Sequence, residues 1–224
     1  MRPLVILRPE PGASATAKAA EELGLQPLVM PLFRVEPVSW QAPDPEEFDA
    51  LLLTSANAIR HGGPGLEGLR NLAAYCVGER TASAAREAGI RVASVGKEGV
   101  DALLESLPQD LKLLHLTGAH WREPTTARQP IQHVPVYESV ELPRPERFAE
   151  AEGAVAALHS ARAASLFARH VAAAGVDFDT IAIAAISPVA AEAAGGGWEA
   201  VEAASEPSDA ALLAIAARLC NKPG

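Results

Sequence analysis

Two stretches of this chain repeat one another, and the order in which their neighbours repeat limits the fold more than any single motif does. Ala73–Leu104, AAYCVGERTASAAREAGIRVASVGKEGVDALL, lines up with Ile181–Leu213, IAIAAISPVAAEAAGGGWEAVEAASEPSDAALL. Gly78 falls on Ser187, Thr81 on Ala190, and Asp101 on Asp209. Upstream, Ser55 in LLLTSANAIRHGG and Ser160 in VAALHSARAASLFARH occupy equivalent junctions. The opening PLVILRPEPG parallels LKLLHLTGAH, with Arg8 over Thr117. The chain therefore reads half-unit, unit, half-unit, unit. The simplest assembly joins the first half-unit to the last unit and encloses the middle pair.

Within each unit, apolar runs alternate with amphipathic stretches, the pattern of parallel strands and crossover helices. Strands are expected near Leu4–Arg8, Pro27–Phe33, Ala50–Thr54, Ala74–Gly78, Val92–Val95, Leu113–Thr117, His133–Tyr137, Ala154–His159, Ile181–Ile186 and Ala200–Ala203. Helices fill the gaps, most clearly Ser14–Gly24, Thr81–Gly89, Val100–Leu107, Ala161–Ala174 and Ser208–Leu219. Two proline-containing stretches break the rhythm, FRVEPVSWQAPDPEE and VYESVELPRPERF, and they resemble one another. They are the linkers, about 34–40 and 135–143. The domains are then 1–35 with 142–224, and 40–134.

A chain of 224 residues with 19 Lys and Arg against 28 Asp and Glu carries a formal charge of -9, which argues against nucleic-acid or anionic-membrane partners. An anionic small ligand stays open, because backbone amides and a few local cations override net charge. Every long apolar candidate is interrupted by Arg, Glu or Pro, so no membrane span is expected. The N-terminal apolar run is too short for a secretory leader. Cys76 and Cys220 are the only cysteines. A disulfide fits the count, but two thiols in an otherwise unstapled chain point to a reducing, cytoplasmic compartment.

The chemistry-bearing side chains resist the usual assignments. His115 and His120 lack zinc-like spacing, and His61 and His170 read as helix-end residues, so no metal is expected. Ser55, Ser160 and Ser187 lack the glycines of a nucleophile elbow and suit N-caps instead. VGER and LTGAH follow strands but match neither a Walker loop nor a dinucleotide fingerprint. Together, however, such junctions line pockets with amides suited to carboxylates. Asn57 adds donors beside Ser55. Tyr137 stands where the repeat has Phe33, so a hydroxyl occupies a place that packing alone would leave to phenylalanine. Arg8 ends the first strand, as either a surface or a pocket cation.

The series VILRPEPG, LLLTSANAIR, YCVGERTASAAREAG, GVDALL, LTGAHWRE, VPVYESV, ALHSARAASLF and AISPVAAEAA resembles the uroporphyrinogen-III synthase family over essentially the whole chain. That resemblance implies two flavodoxin-like α/β domains joined by a two-stranded linker, with a cleft between them. It implies a cofactor-free, metal-free lyase, expected as a monomer, acting on hydroxymethylbilane, a linear tetrapyrrole studded with carboxylates. The terminal hydroxymethyl group leaves as water. The substituted carbon of ring D then attacks, a spiro intermediate fragments, and the macrocycle recloses with ring D inverted. By the same resemblance Tyr137 assists the leaving hydroxyl, while Ser55, Asn57, Gly78, Thr81, Thr117, Gly118, Ser160 and Ser187 bind carboxylates. Three departures stand out. Ser187-Pro188-Val189-Ala190 lacks the family's hydroxyl residues, Thr117-Gly118 replaces its Arg-Gly, and Pro124 shortens the helix expected after the Thr117 strand. The alternative reading is a non-catalytic two-domain binder of a small polycarboxylate.

Overall fold

The structure is a computed structural model and describes residues 1–222. The chain forms two compact units, Met1–Arg34 with the chain from Val140 onward, and Val35–Ser139. The first passage gives β1 (Leu4–Ile6), α1 (Gly12–Glu22) and β2 (Pro27–Val29), and β3 (Phe33–Pro37) leads out. Unit two holds β4 (Ala50–Leu53), α2 (Ala56–His61), β5 (Ala73–Val77), α3 (Glu79–Glu87), β6 (Val92–Gly96), α4 (Val100–Glu105) and β7 (Leu113–Gly118). β8 (Ile131–Glu141) leads back. Unit one resumes with β9 (Val155–Leu158), α5 (Ala161–Ala174), β10 (Ala182–Ala185), α6 (Pro188–Ala194), β11 (Ala200–Ala203) and α7 (Asp209–Cys220).

The sheet of unit one runs β2-β1-β9-β10-β11, all parallel. The parallel core of unit two runs β8-β7-β4-β5-β6, with β3 beside β8. Counted from β1 and from β7 respectively, both have the flavodoxin-like order, with the second strand outside the first and the third on its other side. Unit two is thus a circular permutation of unit one, as the half-unit repeat implies. The registers agree: Leu4 pairs Val155 in one sheet and Leu113 pairs Ala50 in the other. The stretches read as linkers are strands, for Val38 donates to the Val136 carbonyl and Leu142 to that of Leu32.

Helices on both sheet faces explain the unbroken apolar strands. In unit one, Val5 and Leu158 pack towards Phe167 of α5, and Leu4 and Ile6 towards Ala13 of α1 and Leu212 of α7. Many of these residues are alanines, whose small side chains let helices lie close to the sheet. In unit two, Leu51, Leu53 and Leu114 meet Ala58 of α2 and Ala82 of α3. Its other face is thinner, with α4 giving Leu103 and Leu104 to Ala50, Leu52 and Leu113.

No helix forms between β7 and β8. The short helix expected after Thr117 is therefore corrected to an irregular crossover. Pro124 and Pro130 each remove an amide donor and clash with a preceding helical turn. The space that α1 covers in unit one is filled in unit two by Trp121, stacked on His133 at 3.8 Å between ring centroids and edge-on to His115 at 6.0 Å.

Candidate functional site

An open parallel sheet offers a crevice at the carboxyl ends of its strands, where successive connections leave for opposite faces. In unit one that switch point lies between β1 and β9, and in unit two between β7 and β4. Arg8 and His159 follow the first pair of strands. Thr117-Gly118 and Thr54-Ser55 mark the second.

Four side chains interlock at the unit-one switch point. Arg8 donates from Nη1 to Asp209 Oδ1 at 2.8 Å and to Thr16 Oγ1 at 3.2 Å. Thr16 donates to Asp209 Oδ2 at 2.7 Å, and His159 Nε2 lies 2.9 Å from Asp209 Oδ1. A carboxylate only accepts, so His159 Nε2 carries the proton. Burial acts to raise the Asp209 pKa, but hydrogen bonds from His159 and Thr16 and the Arg8 charge outweigh it and hold the carboxyl at about 2. Burial, the largest influence, keeps His159 below the ordinary imidazole value. Beside this cluster Ser160 caps α5 by accepting from the Ala163 amide at 3.1 Å.

At the unit-two switch point Ser55 caps α2, accepting from the Asn57 amide at 3.2 Å. The Asn57 side chain accepts from Arg60 at 3.4 Å. Thr117 is buried, and its hydroxyl has no hydrogen-bond partner among the described residues. Gly118 lies under the Tyr137 ring so closely that a Cβ there would stand 2.7 Å from Cε2. The Tyr137 carbonyl accepts from the Ala119 amide at 2.8 Å, which fixes the strand beneath the ring. Tyr137, Thr117 and Gly118 thus meet at one point, next to Thr54 and Ser55 along the β4–β7 register.

The other expected residues lie further along the sheets. Ser187 caps α6 through the Ala190 amide at 3.3 Å, and Gly78 caps α3 with positive φ while donating to the Gly96 carbonyl at 2.9 Å. Thr81 is buried in the first turn of α3. Ala190 is buried and Val189 half-exposed, so the α6 junction presents no hydroxyl beyond the one Ser187 commits to capping.

Both cysteines are free, buried and pushed up to about 11 by desolvation, which makes them poor nucleophiles near neutral pH. His61 ends α2, whereas His170 lies inside α5 rather than in its last turn. Burial lowers both pKa values, so neither ring serves as a cationic cap at neutral pH. His115 bonds Thr54 Oγ1 at 2.9 Å through Nε2 and His133 at 3.0 Å through Nδ1, and burial pushes it down to about 3.

Sequence reasoning missed Thr16, His159 and Asp209. The repeat alignment marked Asp209 only as an anchor opposite Asp101. His159 stood unremarked one residue before Ser160. No local pattern links either to Arg8.

The family model described as uroporphyrinogen-III synthase HemD matches residues 14–214. The solved uroporphyrinogen-III synthetase of Helicobacter pylori is similar at 21% identity and a TM-score of 0.67, covering 98% of this chain and 100% of its own. A mutant uroporphyrinogen III synthase of the extremely thermophilic bacterium Thermus thermophilus is similar at 20% identity and a TM-score of 0.57, covering 99% and 100%. At such identities the two structures speak to fold. Among curated proteins none matches the chain.

Proposed function

The chain belongs to the uroporphyrinogen-III synthase family, and from that premise we propose how its residues close hydroxymethylbilane to uroporphyrinogen III with loss of water and inversion of ring D. The family match carries the reaction, and the geometry of the two switch points suggests the division of labour.

The substrate is a flexible chain of pyrroles with carboxylates along its length. Left alone, it closes without inversion, so the enzyme must hold it where the substituted carbon of ring D is the nearest nucleophile. Restricting a reactant in this way removes entropy from the barrier without needing a protein nucleophile. Carboxylate docks are the means. Ser160 and Arg8 in unit one, with Ser55, Asn57 and Gly118 in unit two, stand at strand ends where helix amides and polar side chains favour anions. Gly78, Thr81 and Ser187 extend the set along the sheets. Thr117 keeps a hydroxyl without a partner among the described residues, and a group of that kind is costly unless something else meets it.

Tyr137 has the chemical role. Its phenol donates to the departing hydroxyl, which leaves as water as the pyrrole nitrogen pushes electrons towards the electrophilic azafulvene carbon. Ring D then attacks, the spiro intermediate fragments, and the other carbon of ring D closes the macrocycle. We also place the protein in the cytoplasm, on its two free buried thiols. No helix of the described residues is long and apolar enough to cross a membrane. We read it as a monomer, because exposed Val29 and Val201 lie on opposite edge strands rather than in one patch.

The test is the isomer ratio. Freshly made hydroxymethylbilane is supplied, the products are oxidised, and types I and III are separated against a no-enzyme control. Predominantly type III is expected; type I alone at the uncatalysed rate would leave a polycarboxylate binder. Tyr137→Phe is expected to turn over about a hundredfold more slowly, with type III selectivity largely kept. An undiminished rate would remove Tyr137 from the chemistry.

A further inference from the structure

The duplication supplies an internal control for Arg8. The register makes Thr117 its equivalent in unit two, four residues on from Leu113 as Arg8 is from Leu4, so the architecture does not require a guanidinium there. Unit one nevertheless rearranges around it. The first residue of α1 is Gly12, and a Cβ at that position would lie 2.6 Å from Arg8 Nε and 2.9 Å from Cζ. Gly12 lies within the helix, where its positive-φ freedom is not used, so what the missing side chain provides is room for the guanidinium. A cation beside a helix N-terminus is disfavoured by the helix dipole. Something must hold Arg8 there.

That something is Asp209. Its equivalent in unit two, Asp101, faces outward and accepts from the amides of Thr125 and Thr126 at 2.7 and 3.1 Å, fixing the crossover. Asp209 instead turns inward, with Oδ1 towards Arg8 and His159 and Oδ2 towards Thr16. The repeated aspartate thus has two uses, and only the unit with the arginine uses it as a counter-ion. The His159 side chain is 6% exposed, so the carboxylate is braced from the sheet side as well as from α1. A guanidinium is a planar fork with five donor hydrogens. Holding Nη1 on Asp209 and Thr16 sets the plane of the guanidinium.

We propose that Asp209, braced by Thr16 and His159, is a positioning residue that orients Arg8 at the β1–β9 switch point to grip one acetate or propionate carboxylate of the substrate. This rests on the carboxylate-binding role given to Arg8 above. Asp209 touches no substrate atom itself; it acts through the arginine. The consequence lies in binding more than in chemistry. Losing the orientation weakens the grip on the bilane without touching the group that assists the leaving hydroxyl.

A double-mutant cycle on KM and kcat tests this, with Tm measured for every variant. The wild type must first make type III isomer; if it makes none, the functional reading fails before any variant is compared. Given that activity, Asp209→Asn should raise KM about tenfold, the worth of one charge-assisted hydrogen bond, and leave kcat within about twofold. Arg8→Met should raise KM at least as much. Adding Asp209→Asn to Arg8→Met should change KM no further, because the aspartate then has nothing to orient. A purely structural ion pair predicts a different pattern: lower Tm and active fraction, unchanged KM in Asp209→Asn, and coupling in the double variant that appears in Tm and not in KM. That pattern would overturn the proposal. Should Asp209→Asn fail to fold, Thr16→Val removes one brace while keeping side-chain shape. It should raise KM roughly two- to threefold, about half the free-energy effect or less, and no rise in KM would equally overturn the proposal.

Discussion

Gly118 shows how one missing side chain places another. The Cβ of an alanine there would meet Tyr137 Cε2 at 2.7 Å, Cζ at 2.8 Å and the hydroxyl at 3.1 Å. All three contacts belong to the end of a side chain, so the ring can swing away while the backbone stays. Gly118→Ala is therefore expected to fold with nearly unchanged Tm and to misplace the phenol. Misplacement of a reacting group by a fraction of an ångström to an ångström lowers rates steeply, here by roughly tenfold, less than loss of the hydroxyl. Steady-state turnover with the isomer ratio checks this, and an unchanged rate would separate Gly118 from the role of Tyr137. Selectivity should largely persist, since alanine keeps the Gly118 backbone amide and the other carboxylate docks are untouched. The serine caps illustrate the opposite case. Ser55, Ser160 and Ser187 bond amides two or three residues onward, so their function was legible from local sequence.

Elements follow the same division between local and distant causes. ALLL in β4, VAAL in β9 and AIAA in β10 are buried along their whole length, and such unbroken apolar runs are the mark of strands covered on both faces. All ten expected strands form, Ala200–Ala203 as expected and the others with shifted ends. β1 stops at Ile6, two residues short of the expected Arg8, which turns into the crevice ahead of Pro9. The run expected over Pro27–Phe33 breaks at Pro31, so that β2 ends at Val29 and Phe33 opens β3. The proline-containing stretches read as linkers of extended residues with no apolar period; pairing of β3 with β8 makes them the two-stranded connection that the family resemblance implied. The Arg8–Asp209 contact spans 201 positions, and the repeat could say that Asp209 matches Asp101 but not which way either points. Orientation there depends on whether the neighbouring crossover is a helix, as α1 is, or the irregular 119–130 segment. That difference lay in two prolines whose effect on a facing aspartate no local rule conveys.

Across the whole chain, the titrating groups add to one pH dependence. Burial lowers the pKa of His61, His115, His133, His159 and His170, with His115 pushed down to about 3. Below the unfolded imidazole value of about 6.5 the unfolded chain binds protons that these folded rings refuse, so stability falls as pH falls. Each ring contributes at most about 1.4 kcal/mol per pH unit inside its own window. For His115 the window runs from 6.5 down to about 3. Asp209, held at about 2 from an ordinary 3.8, stabilises above 3.8 and loses that effect only towards 2, so it is silent between about 4.5 and 6.5. One long-range influence opposes the histidines: the charge of -9 at pH 7 shrinks on acidification, which relieves self-repulsion. At an ionic strength near 0.15 M the screening length is about 8 Å, so dispersed surface charges interact weakly and the buried rings dominate. Tm is therefore expected to drop steadily from about pH 7 to pH 4.5, with a slope that survives added salt. Trp121, stacked on His133, reports unit two by fluorescence, and Trp198, packed on Phe167, reports unit one. Because the lowest histidine lies in unit two, the Trp121 signal should change at higher pH than that of Trp198, assigned with single-tryptophan variants. A flat Tm profile over this range would mean that the rings accept protons without disturbing the fold, and the buried-histidine account of acid lability would be wrong.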